Sequence, residues 1–388
     1  MTRRPISVMH VIPGLSIGGA ENMLARLLEN SDPRRTIHEV ISMTTVGPVG
    51  VNLRGRGIKV IGLGMRNGIP DPRGLAELTR LLRQRSPEVV QTWMYHADLL
   101  GGISAKLAGD IPVIWGIRQS DARAENLLPK LLARVTNPLL SYWLPRAIVC
   151  CAEVAREVHV GFGYARNKCV VIPNGFDLAR FKVNPQAGTA LRVELGIPAA
   201  APVVGMVARL HPIKDHRNFL LAAAMVARRF PSAVFVLCGD GLTADSLSIS
   251  KWVREAGLPA DVVRLIGRRD DVENVYPALG VAVLSSKSEG FPNVLAEAMA
   301  CGIPCVATNV GDSALIVGEH GRIVSPGDPA ALAMAIIELF DMPGGERLAL
   351  GLAGRRKIEE RYSLATMIAQ YESLYERVAN QYAPQRKT

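Results

Sequence analysis

Short apolar runs rich in β-branched residues alternate with amphipathic stretches along almost the whole chain of 388 residues. This alternation is typical of parallel sheets whose two faces are covered by helices. The predicted strands of the first half are Ile6–Ile12, Glu39–Met43, Ile58–Gly62, Val89–Thr92, Val113–Gly116, Ala147–Cys150 and Lys168–Ile172. Those of the second half are Val203–Val207, Ala233–Cys238, Val262–Ile266, Gly280–Leu284 and Pro304–Ala307. The pattern therefore predicts two doubly wound α/β units in tandem.

Helical periodicity fills most of the gaps between these strands. It is clearest at Ala20–Asn30, Gly74–Arg85, Ala97–Leu107, Leu127–Leu140 and Leu364–Ala379. Turn-forming and small residues concentrate around 182–202, which favours a boundary there. We expect a first Rossmann-like domain at 1–183, a linker region at 184–201, a second domain at 202–362 and a C-terminal helix at 363–388.

Composition narrows the class of protein. No run of about 18 apolar residues and no signal peptide is present, so a cytoplasmic location is expected. The six cysteines lack CxxC spacing and read as buried apolar residues in a reducing compartment. The net charge of +10 points to an anionic partner, although an excess of basic residues on a solvated surface would give the same value. Nucleic acid is disfavoured, because no helix-turn-helix, zinc-finger or aromatic RNA-binding pattern is visible.

An acidic segment follows the strand Gly280–Leu284. It reads Ser-Ser-Lys-Ser-Glu-Gly-Phe-Pro-Asn-Val-Leu-Ala-Glu over residues 285–297, and Pro292 suits the first turn of a helix. The start of that helix would present backbone amides to a phosphate at the carboxyl ends of the strands. Glu289 precedes the helix, and Glu297, about one turn inside, is suited to accept hydrogen bonds from ribose hydroxyls. A solvated helix face is the alternative for two such acids.

Two basic residues follow the strand Val203–Val207, in Gly-Met-Val-Ala-Arg-Leu-His-Pro-Ile-Lys-Asp over residues 205–215. Arg209 and Lys214 would bring positive charge to the same crevice. Fixed cations there stabilise a leaving group whose negative charge grows in the transition state. Ordinary surface charge is the alternative.

These two segments, together with Cys-Gly-Asp-Gly at 238–241 and Ile-Pro-Asn-Gly-Phe-Asp at 172–177, resemble the retaining glycosyltransferases of family 4, which have the GT-B fold. The resemblance covers nearly the whole chain. It implies two Rossmann-like parallel-sheet domains facing across a cleft, with the nucleotide sugar mostly on the second, the acceptor mostly on the first and a C-terminal helix crossing back to the first. It also implies no essential metal and no other cofactor, because Arg209, Lys214 and the helix start take the place of Mg²⁺.

The resemblance assigns roles to individual residues. Catalytic roles fall to Glu289, Arg209 and Lys214. Binding of the nucleotide sugar is implied for Gly18, Gly19, Gly241, Gly290, Phe291, Pro292, Asn293, Val294 and Glu297. Gly18 and Gly19 match the family's Gly-Gly-Ala-Glu loop, in which backbone approaches the ligand closely. A plain tight turn is the alternative for these two glycines.

The chain departs from the family after the strand Val113–Gly116, where many relatives carry a histidine that contacts the transferred sugar. Arg118 and Gln119 stand there instead, suited to a phosphate and a sugar hydroxyl respectively. His96, expected at the end of the neighbouring strand, is either an acceptor contact or a structural histidine. Residues 125–146 mix leucines, aromatic residues and basic residues, which suits either the surface of an anionic membrane or packing within the first domain.

The predicted function is sugar transfer from a nucleotide-diphosphate sugar to a glycan or polyprenyl-linked acceptor during assembly of a bacterial surface polysaccharide. Three other classes stay open. A sugar-nucleotide epimerase or a phosphorylase would share the architecture, and a binding subunit without activity would fit the lost histidine. A nicotinamide-dependent oxidoreductase would use Glu39 to hold a ribose, but it leaves the acidic segment without a role.

Overall fold

The computed structural model describes residues 4–66, 72–118 and 136–382. The chain divides into two compact units, the first formed by residues 1–175 and 364–388 and the second by residues 176–363. The sequence places the first boundary later, at residue 183. The difference arises because residues 176–183 pack within the second unit. Phe176 stacks on Phe291 with ring centroids 6.0 Å apart, and Arg355 Nη1 donates to the carbonyl of Phe181 at 3.1 Å.

The first unit is built on a seven-stranded parallel sheet in the order β3-β2-β1-β4-β5-β6-β7. Its strands are β1 (Ile6–Ile12), β2 (Thr36–Ser42), β3 (Lys59–Gly62), β4 (Val89–Thr92), β5 (Val113–Ile117), β6 (Pro145–Cys150) and β7 (Cys169–Val171). Its helices before the boundary are α1 (Gly19–Asn30), α2 (Gly47–Gly55), α3 (Pro72–Arg85), α4 (Tyr95–Gly109) and α5 (Glu153–Gly161). Residues 136–140 are also helical, whereas the rest of the predicted helix at 127–140 lies outside the described residues.

The C-terminal helix, Leu364–Tyr382, belongs to the first unit, as predicted. Its buried face, which includes Met367, Leu374 and Val378, shares one apolar core with strands β1, β2 and β4. Each such side chain contributes roughly 1.5–3 kcal/mol when it leaves water. Arg35 adds ion pairs to Glu372 at 2.5 Å and to Glu376 at 2.7 Å. Apolar burial and these ion pairs together hold the end of the chain on the unit where the chain begins.

The second unit has a six-stranded parallel sheet in the order β10-β9-β8-β11-β12-β13. Its strands are β8 (Val203–Val207), β9 (Val234–Cys238), β10 (Val263–Leu265), β11 (Val281–Leu284), β12 (Cys305–Thr308) and β13 (Gly321–Val324). Its helices are α6 (Pro185–Glu194), α7 (His216–Arg229), α8 (Leu247–Ala256), α9 (Asn293–Ala300), α10 (Ser313–Val317), α11 (Pro329–Asp341) and α12 (Gly344–Arg361). The prediction of two Rossmann-like parallel-sheet units is confirmed.

The expected linker region at 184–201 contains α6, which packs on the second unit. Asn184 caps this helix, since its side chain accepts the Ala187 N–H at 3.2 Å, and Pro185 occupies the first turn. A Cβ at Gly188 would lie 2.3 Å from the carbonyl oxygen of Pro277, so only glycine permits this close approach. The helix therefore supports the chain segment around residue 277.

All six cysteines are unpaired in the structure; five are buried and Cys169 is half-buried. Within the described ranges, no helix is both long enough and apolar enough to cross a membrane.

Candidate functional site

The sheet of the second unit changes its direction of winding between β8 and β11. From β8 the strands continue to β9 and β10 on one side, whereas β11 leads to β12 and β13 on the other. Connections that leave two adjacent parallel strands in opposite directions open a crevice at the carboxyl ends of those strands, where ligands bind in open α/β sheets. Both charged segments singled out in the sequence follow these two strands.

Glu289 is the centre of a polar cluster beyond the end of β11. Its Oε1 accepts a hydrogen bond from Lys214 Nζ at 2.5 Å and another from Ser286 Oγ at 2.7 Å. The side chain of Lys214 is 22% exposed and that of Glu289 is 12% exposed, so water screens the pair only in part. The structure thus brings together two of the three predicted catalytic residues.

The loops that carry this pair are tied to each other by further hydrogen bonds. Ser285 is fully buried, and its hydroxyl donates to the carbonyls of Lys214 at 2.9 Å and Asp215 at 3.1 Å. The Lys287 N–H donates to the carbonyl of Ile213 at 2.8 Å, and Lys287 Nζ lies 3.5 Å from Asp215 Oδ2. These bonds fix the geometry of Lys214 and Glu289 before any ligand binds.

Arg209, the third predicted catalytic residue, is exposed on the loop after β8. Its side chain makes no hydrogen bond or ion pair with any other described residue. The neighbouring Leu210 N–H donates to the carbonyl of Asp240 at 2.7 Å, and a Cβ at Gly241 would lie 3.0 Å from Leu210. Gly241 has φ +78°, so glycine is favoured there for conformation as well as for space. Gly241 therefore shapes the loop of Arg209.

Helix α9 begins at Asn293, with Pro292 at the N-cap instead of in the first turn as predicted. The cap residue offers no side-chain hydrogen bond to the helix, which suits a terminus that receives an anionic ligand. Val294 is half-buried in the first turn, and the ring of Phe291 is buried between Phe176 and Tyr362. The side chain of Phe291 thus anchors the loop, and only its backbone is suited to contact a ligand.

The acidic loop is braced by the connection after β12, which the sequence analysis missed. The Asp312 N–H donates to the carbonyl of Gly290 at 3.0 Å. Gly311 has φ +55°, and a Cβ there would lie 2.3 Å from the Gly290 oxygen and 2.7 Å from the Glu289 oxygen. A glycine is required here both for its conformation and for the close approach. Gly311 could be seen in the sequence as a glycine that follows a strand. Its contact with Glu289 and Gly290 could not, because these residues are distant in sequence.

Glu297 lies on α9 and is half-buried. Its Oε2 accepts a hydrogen bond from the hydroxyl of Tyr276 at 2.8 Å. The contact of Glu297 with ribose remains a prediction. Tyr276 was not among the predicted site residues.

In the first unit, Gly18 and Gly19 lie at the N-terminus of α1, with Gly18 as the N-cap. A Cβ at Gly18 would lie 2.3 Å from Glu21 Oε2, whereas a Cβ at Gly19 would meet open space. The Glu21 carboxylate therefore lies over the start of the helix, where its charge complements the helix dipole. An anionic ligand at this loop would have to displace that carboxylate.

His96 lies in the first turn of α4, not at the end of a strand as predicted. The helix is preceded by Met94, whose φ of +71° is a strained value for a side chain of this size. The conformation is held by the N–H of Met94, which donates to the carbonyl of Gly116 at 2.8 Å, and by its carbonyl, which accepts the Asp98 N–H at 2.9 Å. His96 is thus presented by a defined and strained turn.

Asp98 ties this turn to the two adjacent strands. Its Oδ1 accepts from Thr92 Oγ1 at 2.5 Å, at the end of β4, and from the Gly116 N–H at 3.1 Å, in β5. Burial raises the pKa of Asp98 to about 8 despite these hydrogen bonds. The buried carboxyl group thus links the first turn of α4 to β4 and β5.

Arg118 follows β5 and stacks on a buried aromatic cluster. Its guanidinium carbon lies 4.7 Å from the centroid of the Trp93 ring, and Nη1 donates to the Tyr371 hydroxyl at 3.5 Å. Nη2 is buried and has no hydrogen-bond partner in the described part of the chain. The guanidinium is therefore fixed in position and retains an unsatisfied donor. Gln119, predicted beside it, lies outside the described residues.

A chain of buried ring nitrogens continues below Arg118. Trp93 Nε1, which can only donate, lies 3.1 Å from His10 Nδ1, and His10 Nε2 lies 3.0 Å from His38 Nδ1. The proton of His10 is therefore on Nε2 and is donated to His38. Burial, reinforced by the charge of His38, keeps the pKa of His10 well below its ordinary value. Burial also lowers the pKa of His38 to about 4.

Two other expectations concern the ribose contact of a nicotinamide-dependent oxidoreductase and the absence of an essential metal ion. Glu39 lies inside β2 and pairs with Lys59 at 3.3 Å and with Arg85 at 3.6 Å, which is not the environment expected for a ribose contact in an oxidoreductase. Within residues 4–66, 72–118 and 136–382, no group of three or more His, Cys, Asp or Glu residues is arranged to hold a metal ion. Independence of metal remains a prediction.

Two family models match the chain, one on each unit. The model described as Glycosyltransferase Family 4 matches residues 17–180, and the model described as Glycosyl transferases group 1 matches residues 201–342. The UDP-Gal:α-D-GlcNAc-diphosphoundecaprenol α-1,3-galactosyltransferase of Escherichia coli is 28% identical over 287 residues, which cover 70% of this chain and 71% of that protein. The D-inositol 3-phosphate glycosyltransferase of Thermobispora bispora is 33% identical over 242 residues, 59% of this chain and 55% of that protein.

Solved structures share the fold over nearly the whole length. Anabaena HepE in complex with UDP superposes with a TM-score of 0.83 at 21% identity, covering 96% of this chain and all of that one. The same protein in complex with UDP-glucose gives a TM-score of 0.77 with the same coverage. WaaG, a glycosyltransferase involved in lipopolysaccharide biosynthesis, gives 0.66 at 13% identity over 95% of this chain and 99% of that one.

Proposed function

We propose that this chain, which belongs to the family 4 glycosyltransferases and has their GT-B fold, transfers a sugar from a nucleotide-diphosphate sugar to a glycan or polyprenyl-linked acceptor with retention at the anomeric carbon. One observation carries the proposal. Lys214, Glu289 and the start of α9 follow the two strands at which the sheet of the second unit changes direction, and all are held in place by hydrogen bonds within that unit. Cations and a helix start at such a crevice suit a diphosphate.

The proposed reaction is a front-face displacement without a protein nucleophile. The acceptor hydroxyl oxygen forms a bond to the anomeric carbon while the bond from that carbon to the phosphate oxygen breaks. The departing phosphate oxygen keeps both electrons of the broken bond and takes the acceptor proton, so the nucleoside diphosphate is the leaving group. Arg209, Lys214 and the amides of α9 stabilise the charge that develops on it. Glu289 orients the sugar hydroxyls, and Lys214 in turn holds Glu289.

The acceptor is assigned to the first unit. Arg118 supports this assignment, because a buried guanidinium N–H without a partner has already lost its hydration and gains fully from an anionic ligand. The diphosphate of a polyprenyl-linked sugar is such a ligand, and the Escherichia coli relative is named for an acceptor of this kind. His96, in the first turn of α4 just after the strained Met94, is the second proposed contact.

Contact with an anionic membrane is part of the proposal. In the described part of the segment at 125–146, Leu139, Tyr142 and Trp143 are exposed by 63%, 54% and 71%. Lys168 donates to the carbonyls of Ser141 and Tyr142 and so brings a positive charge beside them. Exposed aromatic residues next to basic residues suit the headgroup region of an anionic leaflet. We therefore place the protein on the cytoplasmic face of the plasma membrane during assembly of surface polysaccharide.

Sedimentation with vesicles tests the membrane contact. We expect binding to vesicles that contain phosphatidylglycerol, weaker binding to phosphatidylcholine alone, and a loss of binding in a Leu139→Ser, Trp143→Ser double variant. Leu247→Ser, at an exposed leucine of the second unit, is the control. Equal binding by wild type and double variant would show that this surface does not bind the membrane.

Transfer itself is tested by release of nucleoside diphosphate with a panel of nucleotide sugars and polyprenyl-diphosphate acceptors. We expect release that depends on the acceptor, in the presence of EDTA, and a product whose anomeric configuration by NMR equals that of the donor. Interconversion of the sugar without an acceptor would indicate an epimerase, and consumption of inorganic phosphate a phosphorylase. Binding of donor with no turnover for any acceptor would indicate a binding subunit.

A further inference from the structure

Tyr276 is a fully buried side chain whose hydroxyl reaches the candidate site. It lies in a short 3₁₀ turn, Tyr276–Ala278, and is 1% exposed. The turn is supported from below, because Gly188 of α6 packs directly against the backbone of Pro277. The ring packs at 6.3 Å from that of Phe181. Both backbone and ring are thus fixed by their surroundings.

The hydroxyl of Tyr276 is directed at the carboxyl group of Glu297. The hydrogen bond to Oε2 is 2.8 Å long and joins two residues 21 positions apart. Burial, with the charge of Glu297 as the next cause, raises the pKa of Tyr276 well above its ordinary value, so the hydroxyl stays protonated and continues to donate. Arg180, the nearby cation, is paired with Glu273 at 2.8 Å. Tyr276 therefore restrains one oxygen of Glu297 from the interior of the unit.

A restrained carboxylate binds a vicinal diol more tightly than a mobile one. A free glutamate side chain has three rotatable bonds, and freezing them on binding costs free energy. A bidentate contact to two ribose hydroxyls also requires the carboxyl plane to be oriented. A buried phenol, rigid in both backbone and ring, settles that orientation before the ligand arrives.

We propose that Tyr276 is a positioning residue that orients Glu297 toward the ribose hydroxyls of the donor and so makes the site selective for ribonucleotides. This inference rests on the proposed function, because it takes the ligand of Glu297 to be the ribose of a nucleoside diphosphate. Tyr276 itself does not contact the ligand. Its role is exerted through the carboxyl group.

The experiment measures selectivity for the ribose hydroxyls. Affinities of the full-length protein for UDP, GDP and ADP and for their 2′,3′-dideoxy counterparts are determined by isothermal titration calorimetry, and the best-bound base is used. The variants are Tyr276→Phe, which removes only the hydroxyl, and Glu297→Gln, which removes the charge. Tyr164→Phe, at a tyrosine 3% exposed in the first unit, is the matched control.

For wild type we expect the ribonucleotide to bind at least about tenfold more tightly than the dideoxy compound. Tyr276→Phe should lose most of this ratio and approach Glu297→Gln, while its affinity for the dideoxy compound stays within about twofold of wild type. Tyr164→Phe should keep the wild-type ratio. A crystal structure of wild type with the ribonucleotide is a second test that needs no variant. In it, Glu297 should contact the ribose while keeping its hydrogen bond to Tyr276.

Three results would overturn the inference alone. The first is wild-type affinities of Tyr276→Phe for both compounds. The second is an equal loss of affinity for both compounds, which leaves the ratio unchanged and indicates a merely structural role. The third is a complex in which Glu297 contacts the ribose after breaking its bond to Tyr276. Failure of wild type to bind any nucleoside diphosphate would instead reject the proposed function, and the two failures are therefore distinguishable.

Discussion

The two units prepare the carboxyl ends of their strands in different ways. In the second unit Lys214 is already paired with Glu289 and their loops are fastened by Ser285 and Gly311, whereas the exposed Arg209 has no partner among the described residues. In the first unit Arg118 is held by stacking on Trp93, and its Nη2 has no partner among the described residues. A cluster that is tied by hydrogen bonds before any ligand binds suits the proposed site for the donor diphosphate. A fixed guanidinium that has one N–H without a described partner suits the proposed acceptor site.

The largest effect is expected where the cluster of the second unit is broken. Lys214→Ala should lower kcat by about 10²–10³-fold, because it removes a charge proposed to stabilise the leaving group and leaves Glu289 without its cation. Lys287→Ala is the matched control, since Lys287 also pairs with a carboxylate on these loops but is 58% exposed. Steady-state kinetics of both variants check this. Similar kcat values for the two would mean that the pair is structural.

A smaller loss of kcat is expected when the contact between Gly311 and the acidic loop is disturbed while every polar side chain is kept. Gly311→Ala places a Cβ against the backbone of Glu289 and Gly290, and a displacement approaching 1 Å at a reacting group costs up to about 10²-fold in rate. Gly257→Ala is the control, because Gly257 also has positive φ, +69°, but its Cβ would meet open space. Both variants should lose thermal stability because of the positive φ, Gly311→Ala more so because its Cβ also meets backbone, and only Gly311→Ala should lose kcat. Equal kcat values for Gly311→Ala and Gly257→Ala would show that catalysis does not depend on the contact between Gly311 and the acidic loop.

In the first unit the expected effect is on the acceptor. Arg118→Ala should raise the KM for the acceptor by about tenfold and leave the KM for the donor within about twofold, as expected for the loss of one charge-assisted hydrogen bond. Arg118→Lys should restore little of this, because lysine lacks the planar group that stacks on Trp93. Arg34→Ala, at a side chain 88% exposed, serves as the control. A change confined to the donor KM would reverse the assignment of the two units.

The last effect concerns stability and its dependence on pH, not catalysis. His38 has a pKa of about 4 in the folded chain against 6.5 when unfolded, so the unfolded state binds more protons between these values. The free energy of unfolding should therefore fall as pH drops from about 6.5 through about 4, by at most about 3 kcal/mol from this residue. His38→Gln should lose this component, whereas His211→Gln, at an exposed histidine, should keep it. Urea titrations at pH 7 and pH 5 measure the difference.

The fold could be predicted because hydrophobic periodicity is a local property. Strands such as β1 and β8 match their predicted bounds, whereas β13 was missed because Gly321-Arg322-Ile323-Val324 is short and only partly buried. The charged residues of the site could also be predicted from local sequence, because Arg209, Lys214 and Glu289 follow apolar strands directly. Tyr276 and Gly311 were not predictable, because each acts on a segment distant in sequence and only the folded chain reveals the contact.

A crystal structure of the protein with the nucleoside diphosphate that it binds best tests the central claim most directly. We expect both phosphates within hydrogen-bonding distance of Arg209, Lys214 or the first amides of α9, with the ribose on Glu297. A diphosphate bound elsewhere, with the Lys214–Glu289 cluster unchanged and without ligand, would contradict it.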